Sequence, residues 1–266
     1  MYSENNIWSA LAVFSNKFQV YVNIEDDSKD GIGIVTMIRI GVKVKDLIIG
    51  QNGRIIGVQL EDLQVWNVYP KSGSGFKQER ERFFREELTE LFIQWKDETR
   101  YIIQAGDHNC IHRKEDSLFN SNQHIQQELV NHLQVHGLSD DFLNVHGRET
   151  IMFSRVTETS STRIDYVFSN SNSCIYFQYL NMRGLDHYAI LARYDIKIDT
   201  SKEHIPREKV FDGWVFLKIL ESDQMFIEQA EFLIKKICEE SDSKSFDPSF
   251  YWLTSPRVLG SCDELK

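Results

Sequence analysis

The sequence predicts an α/β sandwich, two packed and mostly antiparallel sheets flanked by helices. Short apolar strands divided by polar turns fill its first third, a helical period starts near Phe76, and strand and helix patterns then keep alternating up to Tyr194. A chain of 266 residues with 41% apolar content is long enough to bury such a core as one large domain, with or without an appendage.

The first strands are expected at "FQVYVNI" (18–24), "IGIVTMIRI" (32–40), "RIIGVQL" (54–60) and "LQVWNVY" (63–69). The segments "EDDSKDG", "GQNG" and "ED" separate them as turns, so the four read as antiparallel strands of one sheet. Phe84, Leu88, Leu91, Phe92 and Trp95 then recur at three and four residues among charged neighbours, which predicts an amphipathic helix laid on the sheet. "RYIIQA" (100–105) returns to strand. A second helix is expected from about Ser121, a candidate N-cap, through Ile125, Leu129 and Leu133 to a stop at Gly137. Two further strands follow at "RIDYVF" (163–168) and "YAILARY" (188–194). The organisation is therefore a domain over 1–194, a polar linker over 195–212 and a helical connector over 213–266. The connector's helix, about Ser222 to Cys238, has Phe226, Ala230, Leu233 and Ile237 on one face.

Composition excludes several classes. A net charge of -10 argues against a simple basic clamp for nucleic acid, so any DNA contact has to be local or helped by metal. The four cysteines, Cys110, Cys174, Cys238 and Cys262, show no CxxC pairing or matching histidine spacing, and read as reduced thiols rather than a zinc site or disulfide framework. Neither a membrane-length apolar run nor a secretory leader is present, so a cytosolic or nuclear location is expected and secretion is not.

Four stretches set polar side chains at the ends of apolar strands: "WNVYP" (66–70), "YIIQAGDHNC" (101–110), "TRIDYVF" (162–168) and "GLDHYAI" (184–190). Each alone has an ordinary explanation: Gly-Asp-x-Asn makes a good turn, and an Asp beside a His is often a satisfied core pair. Asp186 can hold a metal, His187 offers an imidazole, and Asp165 is placed like the buried carboxylates that orient a histidine.

In this order, with "NGRIIGVQL", "GLSDDF" and "IMFSR", the four stretches resemble the endonuclease/exonuclease/phosphatase superfamily, the fold of DNase I and of apurinic endonucleases. Within it the chain looks most like the endonuclease domain of a non-LTR (LINE-type) retrotransposon, over roughly Trp8 to Tyr194. "GDHN" and the last two motifs are the most specific, and "NVYP" is weak alone. "GWVFLKILESDQMFIEQAEFLIKKI" is similar to the helical connector preceding the reverse transcriptase in such elements, a domain expected in the full element and absent here.

The resemblance implies that Asp107 orients and deprotonates a water, Asn109 bonds the scissile phosphate, and His187, held by Asp165, donates to the phosphate oxygen that gains charge. It places Mg²⁺ (or Mn²⁺) on Asp186 together with Asp107 and Asn109, Asn67 and Tyr69 against the phosphate, and DNA as the substrate. Arg163 is read equally as a backbone contact or as a solvated strand-end charge, and no role is assigned to it.

The chain also departs from the pattern. The family's first-strand asparagine and the metal-binding glutamate ending its second strand have no counterpart; Glu4 follows no apolar strand, and Glu25 lies in the wrong setting. His108 stands for a usual Phe, Leu185 for a usual Ser, and one residue is missing between Tyr69 and Pro70. The expectation is that the first strands are missing, that Met1 begins just downstream of the glutamate, that sheet edges are exposed, and that this polypeptide has little or no nuclease activity. Two alternatives stay open, a non-catalytic retroelement remnant and another phosphoesterase of the same superfamily.

Overall fold

A computed structural model describes residues 18–24, 33–95, 100–118, 125–181, 185–196, 212–217 and 249–254. In chain order its strands are β1 (Phe18–Ile24), β2 (Gly33–Arg39), β3 (Asp46–Ile49), β4 (Ile55–Gln59), β5 (Leu63–Val68) and β6 (Tyr101–Asp107). They continue with β7 (Ser139–Asp140), β8 (Arg155–Val156), β9 (Ser161–Thr162), β10 (Asp165–Ser169), β11 (Cys174–Asn181), β12 (Tyr188–Asp195), β13 (Asp212–Leu217) and β14 (Ser249–Thr254). Helix α1 runs through Lys77–Arg82, a π turn at Phe83–Leu88, and Thr89–Gln94; α2 is Gln127–Val135 and α3 is Asp141–His146.

The central sheet has the order β3-β4-β5-β6-β10-β7, and its middle strands are buried on both faces. Period-two alternation therefore sorts their side chains into two cores. Ile56, Val58, Leu63, Val65, Ile103, Ala105 and Val167 face the sandwich interior, where they meet Ile34 and Ile38 of β2, Phe177 and Tyr179 of β11, and Ile190 and Ala192 of β12. Ile55, Trp66, Val68, Tyr166 and Phe168 face outward, against Phe84, Leu88, Phe92 and Trp95 of α1 and Leu129 and Leu133 of α2. The apolar positions that predict α1 are the ones that pack. Its π turn keeps Phe83 and Leu88 buried five residues apart, while the Thr89 hydroxyl donates to the Phe84 carbonyl at 2.7 Å.

Several expectations are corrected. The first four strands do not form one sheet: β1 and β2 make a separate antiparallel pair, and the short β3 adds itself to β4. Within the central sheet β5 and β6 run parallel, because α1 is the crossover between them. Helix α2 begins at Gln127, with no side-chain cap, and Ser121 lies outside the described residues. Strand β11 and helix α3 add elements beyond those expected, and Asp140 caps α3 by accepting from the Leu143 N–H.

The second sheet is ordered β11-β12-β14-β13, with β14 antiparallel to β12 and parallel to β13. The far edge of β12 is thus paired. The helix expected at about Ser222 to Cys238 lies outside the described residues, and strands stand at 212–217 and 249–254. Cys110 and Cys174 are buried free thiols; Cys238 and Cys262 lie outside the described residues. No helix among the described residues is long and apolar enough to cross a membrane.

Candidate active site

The site is built where β6 ends. Gly106 has φ +149°, and a Cβ there would lie 1.9 Å from the Val68 carbonyl oxygen, so only glycine lets β6 approach β5 this closely. The approach brings the residues after β5 against those after β6. Asn109 takes a left-handed φ of +50°, its backbone N–H donates to Asp107 Oδ1 at 2.8 Å, and its amide donates to the Pro70 carbonyl at 2.9 Å. Tyr69 stands against the same corner, within reach of Ser72, Asn109 and the charge of Asp107. Burial, reinforced by Asp107, raises the affinity of its phenol for its proton, so it remains a neutral hydroxyl.

The second half comes from β10, whose first residue, Asp165, stands directly across the antiparallel ladder from Asp107. Cross-strand partners project to one face, so two carboxylates meet there. His187 enters from the loop before β12, its Nδ1 2.8 Å from Asp165 Oδ2. The Ser154 hydroxyl donates to the same oxygen at 2.6 Å and itself accepts the N–H groups of Ile164 and Asp165 at 3.0 Å. Asp107, Asp165 and His187 thereby present ligand atoms that all lie within 4.8 Å of one another.

This corner is electrostatically unsettled. Burial, then the facing charge of Asp165, pushes the Asp107 carboxyl from its ordinary 3.8 up to about 7, with His187 acting in the opposite direction. Burial works to lower the affinity of His187 for its second proton, but the charge and hydrogen bond of Asp165 outweigh it and the net shift is upward. Asp165 Oδ1 is buried without a hydrogen-bond partner. An orphaned carboxylate oxygen beside a second desolvated acid fits a bound divalent cation, which would satisfy both.

The expected residues are therefore mostly, though not wholly, brought together. Asp107, Asn109, Asp165, His187 and Tyr69 converge. Asp186 is outside the trio; its Oδ2 pairs with Arg155 Nε at 3.2 Å. Of the expected metal ligands Asp107, Asn109 and Asp186, only Asp107 belongs to that trio, which Asp165 and His187 complete. Asn67 is buried with its amide donating to the Val35 carbonyl at 3.1 Å and to the Thr36 hydroxyl at 3.2 Å, so it ties β5 to β2. Arg163 is neither solvated nor on the surface. Fully buried, it donates from Nε to Asp116 at 2.9 Å and through both terminal nitrogens to Asp140 at 3.1 and 2.6 Å.

Two residues that the sequence did not single out belong to the setting. Ser154 organises Asp165, and Arg155 pairs with Asp186; both sit in "IMFSR", where no spacing marks them as polar partners of distant acids. His108, in the middle of "GDHN", is also buried. Its Nδ1 lies 3.0 Å from the Gly106 carbonyl and its Nε2 3.0 Å from the Gln104 amide, and Gln104 Oε1 is 2.8 Å from His132 Nε2. Burial holds the His108 imidazole down to about 3, so this chain of contacts is uncharged and braces the loop from below.

No known family profile and no curated protein matches the chain. Solved structures do. An AP endonuclease from Archaeoglobus fulgidus superposes with a TM-score of 0.54 at 13% identity, over 73% of this chain and 84% of that one. A Neisseria 3′ phosphatase bound to a product DNA hairpin gives 0.51 at 15% identity, over 73% and 95%. A 3′-5′ exonuclease from Neisseria meningitidis gives 0.51 at 16% identity, over 70% and 83%. The chain has the fold of these enzymes, the DNase I-like α/β sandwich.

Proposed function

We propose that the chain carries a metal-dependent DNA phosphodiesterase site of the endonuclease/exonuclease/phosphatase superfamily, derived from the endonuclease of a LINE-type retrotransposon. The observation that carries it is the meeting of Asp107, Asp165 and His187 at one buried corner, beside Asn109 and Tyr69. The fold, shared with DNA-processing enzymes, supports the reading.

In this site Asp107 takes the proton of the attacking water, a task suited to a carboxyl poised near neutrality. Asp165 fixes the His187 ring through Nδ1, leaving the other ring nitrogen to donate to the phosphate as charge builds and the P–O bond breaks. Asn109 and Tyr69 position the phosphate oxygens. A divalent cation, Mg²⁺ or Mn²⁺, held by Asp107 and the unpartnered Oδ1 of Asp165 would supply further charge stabilisation. With two carboxylates as the grouped donors left to the ion among the described residues, we propose that this polypeptide holds it weakly and turns over slowly.

Supercoiled plasmid incubated with excess protein and millimolar Mg²⁺ or Mn²⁺ tests the reading. The expected result is slow nicking that chelator, Asp107→Ala and His187→Ala each abolish. No metal-dependent nicking under any of these conditions would instead identify a non-catalytic remnant. Fast nicking at micromolar metal would refute the weak-site part of the proposal.

A further inference from the structure

The backbone around His187 is stitched to β8 on both sides. The Tyr188 N–H donates to the Ser154 carbonyl at 2.6 Å, the Val156 N–H donates to the Asp186 carbonyl at 2.9 Å, and Arg155 and His187 form the antiparallel bridge between them. Residues directly opposite in such a bridge project to the same side, with Cβ atoms roughly 5 Å apart. Arg155 therefore leaves the backbone beside the histidine of the site. Its side chain is one-third exposed whereas that of His187 is almost wholly buried, so the guanidinium is on the solvent side of the trio.

This placement answers an electrostatic problem. The protein carries a net charge of -10, and the corner itself holds Asp107 and Asp165 with Asp186 adjoining, so a phosphodiester approaching it meets repulsion. The ion pair with Asp186 uses Nε alone, at 3.2 Å. A guanidinium has five N–H donors in a planar fork that matches two phosphate oxygens, so pairing through Nε still leaves the two terminal amino groups to bind an anion. The charge of Arg155 also reaches Asp107 and favours its ionised form, as expected of a cation at the mouth of the site.

We infer that Arg155 is a substrate-binding residue of this site, its terminal amino groups gripping a phosphate of the DNA backbone next to His187 while Asp186 holds the guanidinium in place through Nε. The inference rests on the DNA phosphodiesterase reading above and adds to it the cation by which an acidic protein admits a polyanion.

The test is equilibrium binding of a fluorescently labelled 20-base-pair duplex, in chelator so that nothing is cut, across a range of NaCl concentrations. Each phosphate contact contributes roughly 0.9 to the slope of log affinity against log salt. Arg155→Ala is expected to flatten the slope by about that much and to weaken binding several-fold at low salt, while Arg155→Lys, which keeps the charge, retains most of the slope. Lys45→Ala is the charge-matched control, since Lys45 pairs with Glu61 at 2.8 Å beside β3, away from the trio, and should leave the slope unchanged. Arg155→Gln gives the same readout should the alanine variant fail to fold. An unchanged slope in Arg155→Ala or Arg155→Gln, or an equal change in Lys45→Ala, overturns the role of Arg155 alone. Absence of salt-dependent duplex binding by the unmodified protein, both in chelator and with millimolar Ca²⁺, overturns the DNA reading and this inference with it.

Discussion

Asp107→Asn should make the metal-free protein more stable, and only above acidic pH. The carboxyl is buried and shifted from 3.8 to about 7, so between those values the folded state holds a proton that the unfolded state has released. Stability therefore falls as pH rises from about 4 to about 7, the opposite of a salt-bridged acid. The difference of roughly 3 pH units at 1.36 kcal/mol each bounds the penalty near 4 kcal/mol once Asp107 is ionised. The shift is already net of the opposing charge of His187, so a gain of up to about 4 kcal/mol at pH 8 is expected for the amide variant. At pH 4, where the acid is protonated in the folded state, the gain should shrink below about 1 kcal/mol. Asparagine keeps a side-chain oxygen for the Asn109 N–H, so the loop geometry survives. Chemical denaturation of both proteins at pH 4 and pH 8, in chelator, measures the difference. A variant less stable than its parent at pH 8, or a gain equal at both pH values, would refute the claim that Asp107 is held ionised at a cost.

Other substitutions probe the supports of the corner. Gly106→Ala drives a Cβ into the Val68 carbonyl at 1.9 Å, and should cost more than about 3 kcal/mol or prevent folding, read as a loss of cooperative unfolding. Ser154→Ala removes the hydroxyl that serves Asp165 Oδ2 and two backbone N–H groups, and about 2–3 kcal/mol should be lost in denaturant titration. Arg163→Ala leaves Asp116 and Asp140 buried beside no guanidinium, so about 3–5 kcal/mol should go, far more than a surface arginine would yield. Millimolar Mn²⁺ should raise the unfolding temperature of the unmodified protein at pH 8 and leave that of Asp107→Asn nearly unmoved; equal shifts would place the ion elsewhere.

The sequence disclosed the strands and the helix whose apolar period reflects a single partner surface. Trp66 and Phe92, stacked at a centroid distance of 4.4 Å, are each flagged by period alone, one at two and the other at three to four. It disclosed "GDHN" because the chain turn there demands particular residues, Gly106 for contact with Val68 and Asn109 for its left-handed backbone, whereas "RID" and "DH" are legible only through the family resemblance. What stayed hidden depends on contacts between distant segments. Asn67 and Tyr69 sit two apart in the sequence and look equivalent, yet one, on β5, serves Val35 and Thr36 and the other, just past its end, stands beside Asp107. The pairing of β1 with β2 away from the central sheet is likewise decided by tertiary packing, since antiparallel hairpins read alike wherever they dock.

The two ends of "RID" show why buried charge by itself does not mark a site. At Arg163 a fully buried cation meets Asp116 and Asp140, with His112 3.1 Å from the first and 3.3 Å from the second, and Tyr166 donating to Asp116. Burial acts to raise the Asp116 carboxyl, yet the close approach of His112 and the Arg163 charge hold it well below the usual range, the mark of a group whose ionised form is favoured. Two residues on, Asp165 keeps one oxygen without a partner, and burial together with its charge pushes Asp107 upward toward neutrality. The first arrangement sets its carboxylates against Arg163 and His112 within the chain, and braces β10. The second leaves a buried carboxylate oxygen without a partner, as the proposed cation would require, whereas the Arg163 network should be indifferent to added metal or DNA.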